Sequence, residues 1–499
     1  MSKLNIAIYA VCIFILLVFA IFPFPVYTKA HAAAPPSFAI DDASITEGSQ
    51  NVLIAVRKIG SSSKPSSISF QTVDETAVAG SDYVGGATTI VFAPNESIKH
   101  VAVSILDDSV VETTETFMAR IAALNNARIS DGAATITITD NDAANPPPQP
   151  TAMQPDPIPS NFNTADYLSA GDPPASESSD SPGAFRFICS ASHESYDDPI
   201  VYPGQPGASH LHEFFGNTLT NAYSTYDSLR ASGEGSCNNK LNRSGYWMPA
   251  MMNGKGKVVR PDYVSIYYKR MPKSDPKCHP ESYARAQGVC VDLPRGLRYI
   301  FGYNMLTGQD VDTFKKWFDC DGTGATAGHY ATIVEAAPNC PTGTHLGAIV
   351  VAPDCWDGAN LDSADHRGHM AYADYSNGLG FLQCPAGYPF VIPQFQLGAW
   401  FLTDDDLDRS GSWDPTKLTW YLSSDAMPGM AMKVPGTTFH SDWFGAWDDG
   451  VKQTWHDNCI DRRLSCNSGN LGNGTIMTIP GGNYNLIANP RLVDPPPHP

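Results

Sequence analysis

The sequence predicts a mainly β protein: an N-terminal β-sandwich joined by a Pro-rich linker to a larger, disulfide-rich β domain with long loops. Three observations lead there. Residues 37–142 alternate apolar and polar side chains in short runs broken by turn residues, residues 143–184 shift to Pro, Ser, Asp and Asn without apolar periodicity, and ten of the eleven cysteines fall after Ala184. At 499 residues the chain is too long for one ordinary core, so two or more folded units are expected. The formal charge of -19 argues against nucleic acid or an anionic membrane as partner, because both call for a positive surface. Cations and neutral substrates fit better.

Residues 1–34 read as a secretory signal peptide: Lys3, an uninterrupted apolar run of 17 residues from Ile6 to Phe22, then small residues at Ala30, Ala32 and Ala34 with cleavage-type spacing. The expected location is secreted or cell-surface, without membrane association once the signal is removed. The run also reaches the lower limit for a spanning helix, so an uncleaved N-terminal anchor is the alternative. Cys12 lies in this leader; the ten remaining cysteines, Cys189 to Cys466, read as five disulfides in an exported chain. No C-x-x-C spacing supports zinc-thiolate sites. The pairing stays open, although Cys278 with Cys290 and Cys459 with Cys466 could close short loops.

In residues 37–142 the strands are Val52–Val56, Ile68–Phe70, Thr88–Phe92, Lys99–Ile105, Thr116–Ile121 and Thr135–Thr139. Fourteen Asp/Glu against six Lys/Arg give this stretch eight net negative charges, crowded at Glu47, at Asp107, Asp108, Glu112 and Glu115, and at Asp140 and Asp142. Carboxylates confined to loops repel one another, which a cation bound by about six to eight oxygens relieves; an acidic, solvated end is the bland alternative. Thr46-Glu-Gly48, Ala79-Gly-Ser-Asp-Tyr83, Leu106-Asp-Asp-Ser-Val-Val-Glu-Thr-Thr-Glu-Thr-Phe117 and Ile138-Thr-Asp-Asn-Asp142 resemble the Calx-beta family throughout this domain. The resemblance implies a Greek-key sandwich that binds calcium at one end. It places carboxylate ligands at Glu47, Asp82, Asp107, Asp108, Glu112, Glu115, Asp140 and Asp142, and a backbone carbonyl at Val110. Asn141 departs from the all-acidic ending of the strongest binders.

Residues 143–184 read as an extended linker. Residues 185–490 form the second domain, with strands at Tyr263–Tyr268, Leu297–Phe301, Gly347–Ala352, Phe395–Phe401 and Leu418–Leu422, and short helices at Val311–Phe318 and Phe444–Asn458. Residues 491–499 are expected to fray.

The chemistry centres on the stretch Asp198 to Asn217, where a Pro/Gly-rich loop delivers His210 and His212 into an apolar run. In a strand, side chains at i and i+2 share a face, so both imidazoles look into one space while Leu211 points away. Asp365-His366-Arg-Gly-His369 and His440-Ser-Asp442-Trp443 supply the same ligand types. Imidazole with carboxylate suits zinc, manganese or iron; without metal, the same groups suit general acid/base work. A structural role donating to backbone carbonyls is the alternative. H-E-x-x-H, G-x-S-x-G and a phosphate-cradling Gly loop are absent. Asp357, Asp362, Asp365 and Asp442 could include a glycosidase pair, with Trp356, Trp443 and Trp447 as sugar-stacking faces, although Asp and Trp in Gly-rich loops more often hold turns and fill cores.

Asp198-Pro-Ile-Val-x-Pro-Gly, Ser209-His-x-His-x-Phe-Phe-Gly216, Cys355-Trp-Asp-Gly358, Asp365-His-x-x-His369 and His440-x-Asp-Trp443 resemble the secreted family of domains of unknown function numbered one-nine-nine-six, over about 198–459. This implies an extracellular β-rich module with a histidine/aspartate site. The sequence thus points to a calcium-binding module followed by a hydrolase-type domain acting on extracellular polysaccharide, its site built from His210, His212, His366, His369, His440, Asp365 and Asp442, with a divalent metal as candidate cofactor. A noncatalytic cell-surface glycan-binding or adhesion protein is the alternative.

Overall fold

The computed structural model describes residues 34–107, 112–141, 148–375, 381–479 and 490–498. The chain divides near Asn141 into two compact units. The expected leader lies outside the described residues apart from Ala34, and among the described residues no helix is long and apolar enough to cross a membrane.

The first unit is a sandwich. A four-stranded sheet runs in the order Ile98–Ser104, Asn51–Ile59, Ser37–Ile40, Arg128–Ile129, and a five-stranded sheet in the order Ala43–Thr46, Ala133–Thr139, Glu115–Asn125, Ser66–Asp74, Ala87–Phe92. The period of two sets the packing: Asn51–Ile59 buries Val52, Ile54 and Val56 and exposes Leu53. These side chains meet Phe38, Phe70, Phe92, Phe117 and Ile136 in one core. Each such burial stabilises by ~1.5–3 kcal/mol.

The second unit packs a seven-stranded sheet against a five-stranded one. The larger runs Ala175–Ser176, Leu464–Cys466, Gly183–Cys189, Tyr263–Arg270, Gln394–Leu402, His345–Val351, Lys316–Asp321; the smaller runs His193–Ser195, His212–Gly216, Gly245–Pro249, His440–Phe444, Arg298–Gly302. Val264, Ile266, Tyr268, Leu397, Ala399 and Phe401 of the larger sheet share one core with Phe215, Tyr246, Met248, Tyr299, Phe301 and Trp443 of the smaller. Five disulfides close loops around this core: Cys189–Cys237, Cys278–Cys290, Cys320–Cys340, Cys355–Cys384 and Cys459–Cys466.

Three local expectations fare differently. The helix expected over 311–318 is instead the strand Lys316–Asp321, which pairs antiparallel with His345–Val351; that ladder overrides a helix-like spacing of Val311, Phe314 and Phe318. The helix expected from Phe444 appears as Asp449–Trp455, its first turn capped where the Asp448 side chain accepts from the Val451 N–H. Parts of the linker and tail are paired: Leu168–Ala170 with Thr475–Met477, Ala175–Ser176 with Leu464–Ser465, and Leu492–Val493 with Val258–Val259. Isolated apolar residues such as Leu168 and Leu492 pack on the core there, too sparse to give a periodic signal.

Candidate functional site

In the smaller sheet of the second unit, register decides which side chains meet. Trp247 lies opposite Asp442, Asp442 opposite Ile300, His440 opposite Gly302, and Phe214 opposite Trp247. By the period of two, His212, Phe214, Trp247, His440, Asp442 and Ile300 therefore share one face, away from the main core. Phe214, Trp247, Ile300 and Phe444 form a small apolar cluster there. Gly302 is required opposite His440: its φ is +88°, and a Cβ would sit 2.8 Å from the Phe439 carbonyl oxygen and 2.9 Å from the His440 Cα.

His210 precedes the strand His212–Gly216 and turns its ring toward the same space. The rings of His210 and His212 are 4.2 Å apart between centroids, and those of His210 and His440 5.1 Å apart. One ligand atom from each of the three histidines falls within 4.8 Å of the others. Leu211 points the other way, into a cluster with Ala250, Met252 and Val258.

The hydrogen bonds orient these rings. His212 Nδ1 lies 3.0 Å from the Asp197 carbonyl oxygen and His440 Nδ1 2.8 Å from that of Thr438. A carbonyl only accepts, so each Nδ1 carries the proton and each Nε2 keeps its lone pair. The Nε2 atoms of His210 and His212 are buried without a hydrogen-bond partner among the described residues. An imidazole whose N–H is fixed by a backbone carbonyl while its other nitrogen is bare is the arrangement of a metal-ligating histidine.

Burial keeps all three rings neutral. It lowers the pKa of His210, with His212 and His440 adding like-charge repulsion, lowers that of His212 against the opposing pull of Asp198, and brings His440 to about 3. Asp442 Oδ2 lies 4.0 Å from His440 Nε2, and neither Asp442 oxygen has a hydrogen-bond partner among the described residues. Burial, then the nearby Asp198, pushes its pKa well above the ordinary carboxylate value, while Arg367 opposes. A buried carboxylate without a partner is destabilising unless protonated or met by a cation.

Asp198 and Arg367 belong to this group; from sequence Asp198 entered only as the first residue of a motif and Arg367 only between His366 and His369, neither as a site residue. Asp198 accepts from the Ile200 and Val201 N–H groups at 2.9 Å each, and its burial is offset by His212 and His366. Arg367 donates to the carbonyls of Gly302 and Tyr303, and its charge acts on Asp442. Their signals were the Asp-Pro turn and a cation between two histidines.

The remaining sequence candidates are not among the three grouped histidines, and their hydrogen bonds go elsewhere. His366 binds Asp362 through Nδ1 at 2.8 Å, and its carbonyl accepts from Ile300. His369 reaches the Arg298 carbonyl through Nε2 and Ser363 through Nδ1, and its ring meets Tyr299, which faces the main core. Burial would raise the Asp365 pKa, but donation from Gly368, Ser363 and Arg367 holds it at about 2 in a turn. Asp357 accepts from Ala359 and Asn360 in the same way. Trp356, Trp443 and Trp447 correct the expectation of sugar-stacking faces: all three are buried, Trp356 against Phe390, Trp443 among Tyr268, Tyr299 and Phe395, Trp447 against Phe185 and Phe187.

A second candidate site lies at one end of the sandwich. Thr46 pairs with Thr139 and Glu115 with Ile138, so Glu47, Asp140 and Glu115 gather at the same sheet end. Oxygens of Asp82, Glu112 and Glu115 come within 4.8 Å of one another. Asn141 Nδ2 donates to Asp107 Oδ1 at 2.9 Å, occupying an oxygen that an acidic residue would leave open. Asp108, Val110 and Asp142 lie outside the described residues.

Comparison with known proteins defines a class first: a two-part chain whose sandwich is of Calx-beta type, since the family model described as a Calx-beta domain matches residues 32–142. The model described as a domain of unknown function (DUF1996) matches residues 198–447, which is 250 of 499 residues, and the chain belongs to that family. Sodium/calcium exchanger 1 of Rattus norvegicus is 37% identical over 78 residues, 16% of this chain and 8% of that protein. Sodium/calcium exchanger 3 of Homo sapiens is 39% identical over 80 residues, with the same shares. The match therefore spans 8% of the length of these curated relatives. A crystal structure of the apo-form Calx CBD1 domain is 25% identical, covering 21% of this chain and 98% of that one, with a TM-score of 0.21.

Proposed function

We propose that this is an exported protein in which a calcium-binding sandwich accompanies a hydrolase-type domain acting on extracellular polysaccharide, with His210, His212 and His440 holding a divalent metal ion. The observation that carries the reading is the three-histidine group, in which the Nδ1–H groups of His212 and His440 are fixed on backbone carbonyls and the Nε2 atoms of His210 and His212 are buried without a partner among the described residues. The nitrogen donors suit zinc or a neighbouring first-row ion. Such an ion supplies Lewis-acid polarisation of a scissile bond. Asp442 offers two oxygens without a hydrogen-bond partner among the described residues that would meet the cation or accept a proton from an attacking water; Arg367 balances its charge and Asp198 adds to it. Calcium would bind among Glu47, Asp82, Asp107, Glu112, Glu115 and Asp140, a reading that the Calx-beta match and the gathering of Asp82, Glu112 and Glu115 support.

The burial of His212 and His440 favours a second reading, a noncatalytic glycan-binding or adhesion protein in which a closed ion pins the strand His212–Gly216 to His440–Phe444. His440→Ala separates the two. Turnover on a polysaccharide panel is expected to vanish while the melting temperature moves by only a few degrees. Collapse of stability, without turnover in the parent protein, would establish the structural role.

A further inference from the structure

The second unit carries a cavity of about 1040 Å³ that the histidine group does not use. Its floor is the outer face of the seven-stranded sheet, where Lys269 lies opposite Gln394 and Gln396 opposite Val351. One wall presents Phe314, 80% exposed, and Trp317, whose ring stacks on His329 at 4.3 Å. The other presents Lys277, Arg285 and Gln287. Among the described residues Lys269, Lys277 and Arg285 form no ion pair, although the chain carries a formal charge of -19. Lys269 is half-buried, and burial lowers its pKa while the carboxylate of Asp354 opposes.

We infer that this groove binds an acidic polysaccharide, a chain of uronic-acid type, through carboxylates at Lys269, Lys277 and Arg285, hydroxyls at the glutamine amides, and sugar faces at Phe314 and Trp317. The spacing of charge selects this partner over nucleic acid. Asp312, Asp354 and Asp374 line the same groove beside five cations, of which Lys315 is paired with Asp312 and Arg270 with Asp461, so its net charge is low and a phosphate chain would meet carboxylates as well as cations. An acidic glycan brings few charges and many hydroxyls. The volume suits an oligosaccharide, being at the upper end of the ~300–1,000 Å³ of ordinary ligand sites. The inference names the substrate class for the proposed hydrolase and in that respect rests on it; the binding itself does not.

Calorimetric titration of the full chain, in calcium-containing buffer, tests it with three probes of equal length: oligogalacturonate, a neutral β-1,4-glucan oligomer and single-stranded DNA. Oligogalacturonate is expected to bind at least about tenfold more tightly than either other probe, and more weakly as salt rises. Lys269→Gln with Arg285→Gln weakens it by about tenfold or more at unchanged melting temperature. If the half-buried Lys269 is needed for folding, the exposed pair Lys277→Gln and Arg285→Gln still weakens binding by about threefold. His440→Ala leaves binding intact, so lost turnover with retained binding separates failure at the histidine group from failure here. Equal binding of the neutral glucan, equal or tighter binding of DNA, no binding of oligogalacturonate, or unchanged binding by folded charge variants would each overturn the inference.

Discussion

The two candidate ion sites are built on opposite plans. At the end of the sandwich the candidate ligands are oxygens on loops and strand termini, several reachable by water; in the second unit they are nitrogens on or beside strands, with His212 and His440 buried and fixed on carbonyls. Loop carboxylates relax their repulsion into solvent when no cation is present, so that site tolerates being empty. Buried lone pairs and an unpartnered Asp442 have no solvent to turn to, so the histidine site gains more from its ion. The units also differ in covalent support: the sandwich has no cysteine and the second unit five disulfides.

That last contrast carries the largest expected effect. Removing the Cys189–Cys237 bridge, which spans 48 residues, costs the second unit about 4 kcal/mol on a chain-entropy basis. Calorimetry of the Cys189→Ser, Cys237→Ser protein should lower the transition of the second unit alone; a matching fall in the sandwich transition would break the separation of the two units.

A smaller effect sharpens the role of buried imidazoles outside the three-histidine group. Burial brings His456 to about 4, with Asp292 opposing. Its folded pKa lies below the unfolded value of about 6.5, so the stability it contributes is present above pH ~6.5 and lost as pH falls toward 4, about 3 kcal/mol in all. Denaturant titrations at several pH values should show His456→Phe losing less stability than the parent over this window. An identical pH slope would mean that His456 is not held neutral.

Smaller still is the effect of calcium on the sandwich. With affinity near 10⁻⁴ M, roughly millimolar calcium adds about 1.4 kcal/mol, a rise of several degrees in its melting temperature. Asp82→Ala with Glu115→Ala should abolish that rise and leave the second unit unmoved. A rise that survives the double variant would place the ion elsewhere.

Much of this contrast was legible in sequence because it is periodic. Alternation gave the strands, and the i, i+2 rule put His440 with Asp442 and His210 with His212. What no local pattern carries is register: only the pairing of Trp247 with Asp442 and of Gly302 with His440 brings the two segments together. The same limit hid Asp198 and Arg367, whose roles depend on neighbours far along the chain. The tryptophans misled for a related reason, since residue type alone does not say whether an indole faces solvent or core. The short disulfides Cys278–Cys290 and Cys459–Cys466 were accessible from spacing; the 48-residue bridge was not.

A metal centre at the histidine group requires bound metal in the purified full chain. After dialysis against calcium-free buffer, inductively coupled plasma mass spectrometry should find about one first-row transition ion per chain. The ion should be retained in Asp82→Ala with Glu115→Ala and lost in His212→Ala and in His440→Ala. A parent protein that holds no such ion, and takes none up when zinc, manganese or iron is offered, has no metal centre at His210, His212 and His440.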